Sequence, residues 1–304
     1  MRIWGGKIMN LLITHTDLDG VGCAILAKYF YGDNIKIIYA NYNDVNNIMA
    51  ELDSSKYEKI FMTDLSCHLD YISKIDKLLD YHKSALYLNK YDNCEVKITH
   101  NTGALASGTS MFADFLEEEF TYFIPQWLDY VVNLIRLYDT WEWKAEGIEQ
   151  ANNLNTLFYV LGRERFIEHI LDSKHKLFDE VDMLLINCEN DRKKAYIKEK
   201  KNDVYASYFK GIKFCVLFAE QYTSVLADEL KDEYDVIVII SDMKGTMSFR
   251  SKEYDVSKLA KLFGGGGHKN AAGANSGEVS LQAYHIVDLI TEKIRSDLSE
   301  ELQD

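Results

Sequence analysis

Residues 11–32 read LLITHTDLDGVGCAILAKYFYG. A β-rich run, LLITHT, passes through a short acidic stretch into a glycine-led helical run, which is the opening of a strand–loop–helix unit. The alternation continues outward. β-Rich runs recur at IKIIYA (35–40), KIFMTD (59–64) and LLDYH (78–82), with a weaker one at EVKIT (95–99) and helical segments between them. Strands that alternate with helices predict a parallel, doubly wound sheet. In such a sheet the ligand sits outside the carboxyl ends of the strands. The first, third and fourth runs end in THTDLDG, MTDLS and LDYHK, so acids and histidines converge on one edge.

From residue 104 to 201 the chain reads as mainly helical, with an amphipathic period in QWLDYVVNLIRLYDTW (126–141). The single proline, Pro125, marks the start of that helix. A charged run over 189–203 has few large apolar residues and suits an exposed connecting helix. The β-rich pattern then restarts: IKFCVLFA (212–219), YDVIVIISD (234–242) and TMSFRSK (246–252), with helices expected at 224–230, at 256–263 and at the C-terminus. The fold class is therefore α/β, an N-terminal doubly wound parallel sheet with a helical extension followed by a smaller C-terminal α/β unit. The boundaries fall at 1–190, a connecting helix over 191–211, and 212–304.

Forty-eight acidic against thirty-four basic residues give a net charge of −14. That balance opposes binding along a long nucleic-acid tract, so a phosphate ligand must be small or held locally. No stretch approaches the about 18 consecutive apolar residues of a membrane span, and MRIWGGKIM has no apolar core of a secretory signal. A soluble, cytoplasmic protein is expected. The five scattered cysteines contain no C-x-x-C pair and read as reduced thiols. Met9 is the expected translation start, because WGGKI before it corresponds to a purine-rich ribosome-binding sequence.

His15, Asp17 and Asp19 alternate along HTDLD, so a strand continuing through them would place all three on one face. Close acids repel unless a cation neutralises them. Asp64, Asp80 and His82 land on the same edge, and mixed carboxylate and imidazole ligation favours manganese, iron, cobalt or zinc over calcium. Taken singly, Asp19 before Gly20 and Asp64 before Leu65 read equally well as helix caps. In the second unit Gly264–Gly267, then His268 and an Ala-Ala-Gly run read as helical, make a backbone surface that phosphate or base atoms can approach. Ser248 and Arg250 alternate on the strand before it and could face the same ligand.

HTDLDG, MTDLS, LDYHKSA, YDTWEW and FGGGGHKNAAG, in this order over nearly the whole chain, resemble the DHH family of phosphoesterases with its associated C-terminal domain. The nearest branch is the bacterial nano-RNase or oligoribonuclease type, similar also to RecJ-like exonucleases and cyclic-dinucleotide phosphodiesterases. The resemblance implies two Mn2+ ions in the N-terminal catalytic domain and substrate bound by the C-terminal domain across a cleft. It assigns His15, Asp17 and Asp64 to the first metal, with Asp64 bridging, and Asp19 and Asp139 to the second. Asp80 and His82 are the implied catalytic groups, Asp80 in support and His82 facing the scissile phosphate. Ser248, Arg250, Gly265, Gly266, Gly267 and His268 would bind the nucleotide. The implied substrates are short RNA oligonucleotides or dinucleotides, cleaved to nucleoside monophosphates, with no membrane partner; a homodimer is left open. The family triplet is Asp-His-His, whereas this chain has Tyr81 in the middle, and a neutral phenol is a poor metal ligand. The second site is thus expected to be weak, unless His68 fills the position. The alternatives are a cyclic or linear dinucleotide phosphodiesterase, or a nucleotide-binding module with impaired catalysis.

Overall fold

Leu11, Leu12 and Ile13 are wholly buried, and they alternate between two separate cores. A strand apolar on both faces must be covered on both faces, which is the requirement of a central parallel strand. The computed structural model describes residues 9–173, 177–209 and 211–275. The expected start at Met9 turns on residues 1–8, and the expected C-terminal helix on residues beyond 275; both lie outside the described residues.

The first unit, residues 1–189, is built on a five-stranded parallel sheet of β1 (Met9–Thr14), β2 (Ile35–Tyr39), β3 (Tyr57–Thr63), β4 (Lys77–Asp80) and β5 (Cys94–Val96). The order is β2-β1-β3-β4-β5, so the winding reverses between β1 and β3, and the ligand crevice of such a sheet opens there, beyond the carboxyl ends. Leu12, Phe61 and Leu79 face the core shared with α1 (Leu18–Tyr31), while Leu11, Ile13, Ile60, Met62 and Leu78 face the core shared with α2 (Val45–Glu51). The helical extension is α3 (Gly108–Phe120), α4 (Gln126–Asp139), α5 (Glu142–Glu146), α6 (Glu149–Leu161), α7 (Arg163–Ser173) and the start of α8 (Glu180–Lys200). Pro125 immediately precedes α4, where its missing N–H costs nothing.

Several expectations change in detail. β1 stops at Thr14, because Asp17 caps α1 by accepting from the Gly20 amide at 3.1 Å; His15, Asp17 and Asp19 therefore do not share a strand face. β4 likewise stops at Asp80, leaving Tyr81 and His82 in the loop beyond. The links from β3 to β4 and from β4 to β5 hold only 3-10 turns, 69–74 and 83–90, as their short length allows.

The second unit, residues 190–304, carries a six-stranded sheet of order β10-β11-β9-β8-β7-β6. Its elements are β6 (Tyr205–Phe209), β7 (Ile212–Phe218), α9 (Thr223–Leu230), β8 (Val236–Ser241), β9 (Thr246–Ser251), α10 (Val256–Leu262), β10 (Gly266–Gly267) and β11 (Ala271–Asn275). Residues 191–211, read as a connecting helix, divide between the end of α8 and β6, which pairs with β7 as an edge strand. The Ala-Ala-Gly run is not helical but forms β11. Its small residues let it pair closely with β9 on one side and the glycines of β10 on the other. No helix among the described residues is long and apolar enough to cross a membrane.

Candidate active site

The loops after β1 and β3 bring His15, Asp17 and Asp64 together, with one ligand atom from each lying within 4.8 Å of the others. His15 Nδ1 is 2.8 Å from Asp17 Oδ2 and 3.8 Å from Asp64 Oδ2. Burial alone would push the His15 pKa down, but its hydrogen bond with Asp17 and the nearby acids raise it. Burial likewise works to raise Asp17, yet the His15 contact and the Gly20 amide hold it below the usual carboxylate range. Two glycines make the crowding attainable. A Cβ on Gly20 would lie 2.1 Å from the His15 carbonyl oxygen, and one on Gly108 would lie 2.5 Å from the Asp64 Cβ.

Asp64 is the most constrained member. Its φ of 57° is left-handed, a conformation that costs a non-glycine residue roughly 1–2 kcal/mol. It is 1% exposed and its Oδ2 has no hydrogen-bond partner among the described residues. Burial, then the charges of Asp17, Asp19 and Asp139, hold its pKa well above the ordinary value. Asp139 has the same predicament, its pKa raised well up by burial and by Asp19 and Asp17. It is the last residue of α4, where the negative end of the helix dipole disfavours an anion, and its Oδ2 is also unpartnered. Desolvated acids that each keep one carboxylate oxygen without a hydrogen-bond partner are a cation's donor set.

Asp19 and Asp139 stand outside the three-residue grouping. Asp19 is anchored: its Oδ2 accepts from the Gly108 amide at 2.6 Å and its Oδ1 from the Thr109 amide at 2.9 Å. It thereby ties the N-terminus of α3 to α1. Tyr81 takes up the question raised by its place in the triplet, for its phenol stands beside Asp139 and works to lower that acid's pKa, which burial and the neighbouring acids raise. His68, the other donor considered, is exposed and pairs with Asp70.

Asp80 is fully buried, and its Oδ1 accepts from the His82 backbone amide at 3.1 Å and sits 2.7 Å from His82 Nδ1. That arrangement fixes the imidazole so that Nε2 points the other way. There it meets the Tyr42 hydroxyl at 2.9 Å. The Tyr42 ring also lies 5.2 Å from the His15 ring, so this half-exposed phenol bridges the two histidines. Sequence reasoning missed Tyr42. It sits in YANYND, just past the carboxyl end of β2, where the strand-end rule applied to the other strands would have pointed.

In the second unit Ser248 and Arg250 share one face of β9, as alternation requires. Register places Ser248 opposite Gly273, and Gly273 opposite Gly266, giving a row of bare backbone beside one hydroxyl. Gly264–Gly267 is thus not an open loop but the first arm of a hairpin, which His268 and Ala271 close through reciprocal backbone bonds of 2.8 and 3.3 Å. His268 is exposed at its turn. Arg250 donates to the Phe249 and Ala272 carbonyls and to Ser224 Oγ, so part of its capacity is spent within the sheet.

Comparison with known proteins places these features in context. The DHHA1 domain family matches residues 212–296. The oligoribonuclease NrnB of Bacillus subtilis is 32% identical over 315 residues, covering 95% of this chain and 77% of that protein. A 3′,5′-cyclic-nucleotide phosphodiesterase of Helicobacter pylori is 22% identical, with 86% and 91% covered. Among solved structures, the pGpG-specific phosphodiesterase PggH of Vibrio cholerae aligns with a TM-score of 0.56 at 15% identity over 93% of this chain and 98% of that one, a likeness of fold.

Proposed function

The chain belongs to the DHH family of phosphoesterases, and from that premise we propose that it is a manganese-dependent phosphodiesterase cleaving short oligoribonucleotides to nucleoside monophosphates. The observation that carries the reading is Asp64: buried and left-handed beside His15 and Asp17, with its Oδ2 lacking a hydrogen-bond partner among the described residues, it has the chemistry of a cation ligand. His15, Asp17 and Asp64 would hold one ion, and Asp64, Asp139 and Asp19 a second. Bound there, manganese would neutralise phosphate charge and acidify the attacking water. The protein's own groups do the rest. Asp17 orients His15, and Asp80 accepts from His82 Nδ1, which presents Nε2 as the group to meet a phosphate oxygen once the Tyr42 hydroxyl yields. The exposed backbone of Gly266 and Gly273, with Ser248 beside it, offers the second unit's nucleotide contact. The net charge of −14 favours short substrates, since a long tract needs a basic groove.

A second reading is hydrolysis of linear or cyclic dinucleotides at the same site; one similar protein is named for the linear dinucleotide pGpG and another for 3′,5′-cyclic nucleotides. Chromatography of products from labelled dinucleotide, pentanucleotide and cyclic dinucleotide, with and without manganese, separates these. Mononucleotides released stepwise from the pentanucleotide support the first reading. Turnover of dinucleotides alone supports the second, and metal-dependent hydrolysis of none of them would reduce the chain to a binding module.

A further inference from the structure

Arg163, the first residue of α7, lays its guanidinium on the Tyr39 ring, with Cζ 3.9 Å from the ring centroid. A guanidinium stacked by its face keeps its five N–H groups in the plane, pointing away from the ring. Among the described residues none of them has a hydrogen-bond or ion-pair partner, and Nε is shut off from solvent as well. An unpaired, partly desolvated guanidinium is uncommon, because the hydrogen bonds it forgoes are charge-assisted and strong. It is rarer still in a chain where acids outnumber bases by forty-eight to thirty-four.

Its position gives the guanidinium meaning. Tyr39 ends β2, and its register partner Thr14 immediately precedes His15; the Ala40 amide donates to the Thr14 carbonyl at 2.9 Å. The backbone of Tyr39 therefore stands at the ligand edge of the sheet, one strand spacing, about 4.8 Å, from the strand that leads into His15, on the side away from Asp64. Tyr159, at the end of α6 and 65% exposed, lies close enough to Asp17 for that charge to add to burial in raising its pKa. The α6–α7 connection thus flanks the metal ligands. Glu164 sits near Tyr39 but makes no ion pair with Arg163.

We propose that Arg163 is a phosphate-binding group that takes a second phosphate of the substrate, adjacent to the scissile one, by bidentate in-plane hydrogen bonds. Tyr39 serves as the platform that holds the fork level. The ligand is a phosphate oxygen pair, supplied either by the next phosphodiester of a longer chain or by a 5′-terminal phosphate. This rests on the phosphodiesterase reading and deepens it.

The test compares the full-length wild type with Arg163→Ala and Arg163→Lys on three substrates: ApA, which has only the scissile phosphate, 5′-phosphorylated pApA, and ApApA. With Arg163→Ala, kcat/KM for pApA or ApApA should fall about tenfold or more, the worth of a charged hydrogen bond, and clearly less for ApA. The substrate with the larger loss identifies the source of the phosphate. Arg163→Lys keeps the charge over Tyr39 without the fork, so it should recover only part of the discrimination; it carries the test if the alanine variant does not fold. An equal loss on all three substrates, or none, overturns the assignment. If the wild type hydrolyses none of them, the phosphodiesterase reading falls. Equilibrium binding of pApA, then undisturbed by turnover, judges Arg163 alone: no binding by wild type, or equal binding by wild type and Arg163→Ala, overturns the subsite.

Discussion

Replacing Asp64 with Asn should stabilise the first unit when no metal is present and weaken its response to manganese, and the opposite signs make the test sharp. The Asp64 and Asp17 ligand atoms lie within 4.8 Å of one another. At an effective dielectric constant of about 20, two such negative charges repel by about 3.5 kcal/mol. The folded protein escapes part of this by keeping Asp64 protonated, its pKa held well up by burial and by Asp17, Asp19 and Asp139. An amide, which carries no charge at any pH, should therefore recover only part of the repulsion, about 1–3 kcal/mol. For a unit of this size that is a rise of about 2–12 °C in midpoint. The sign with pH follows from the raised pKa. In EDTA the wild type keeps its full stability below about pH 4, where the unfolded carboxyl is protonated too, and loses it as pH rises toward the folded value. The gap between variant and wild type should thus be small at pH 4 and wide at pH 8. Tryptophan fluorescence reads the first unit selectively, since Trp4, Trp127, Trp141 and Trp143 all lie within residues 1–189. Adding manganese should raise the wild-type midpoint far more than that of the variant. A variant that melts lower than wild type in EDTA, or that gains as much from manganese, would refute the reasoning.

Tyr81→His should lower the manganese concentration for half-maximal rate by about tenfold or more, because it adds a nitrogen donor next to Asp139; an unchanged activation curve would show that no ligand is missing there. Tyr42→Phe removes the hydroxyl bonded to His82 Nε2 and should lower KM with kcat nearly constant. A fall in kcat of more than about tenfold would instead place the phenol in the chemistry. In the hairpin, Gly265→Ala drives a Cβ to 2.1 Å from the Gly273 carbonyl and should destabilise the second unit by about 1–3 kcal/mol. Gly266→Ala meets nothing within 4 Å, so its melting midpoint should match wild type while KM rises, and an unchanged KM would remove Gly266 from the nucleotide contact.

The parallel sheet was legible because β1, β3 and β4 are buried on both faces, and a run that is apolar throughout needs no tertiary information to be recognised. The edge that gathers His15, Asp17, Asp64 and Asp80 followed from the strand-end rule alone. The local geometry did not. Whether HTDLD stays extended or turns depends on the bond from the Gly20 amide to Asp17, which competes with strand continuation and wins. The Ala-Ala-Gly run was misread as helix since alanine favours helices in isolation, whereas here its smallness serves strand packing against β10. The strand β6, YASYF, follows directly on the charged run and was absorbed into the connecting segment, as a short edge strand can be.

Long-range contacts account for what remained unread in the site. Asp19 reads as one of an alternating series of acids, and its two oxygens also accept from amides 89 and 90 residues away, a relation no local pattern carries. Tyr81 looked like the loss of an imidazole. In the fold the phenol stands beside Asp139, the acid that ends α4 against the helix dipole, and its ring is tilted against that of His82 with the centroids 4.3 Å apart. A hydroxyl beside a carboxylate eases its charge, which an imidazole nitrogen acting as an acceptor would not. In the proposed reading Tyr81 would thus trade a metal donor for an easing of the Asp139 charge. A second ion held by Asp19, Asp64 and Asp139 would then have an all-carboxylate shell, and oxygen-only donor sets shift preference from zinc toward manganese and magnesium.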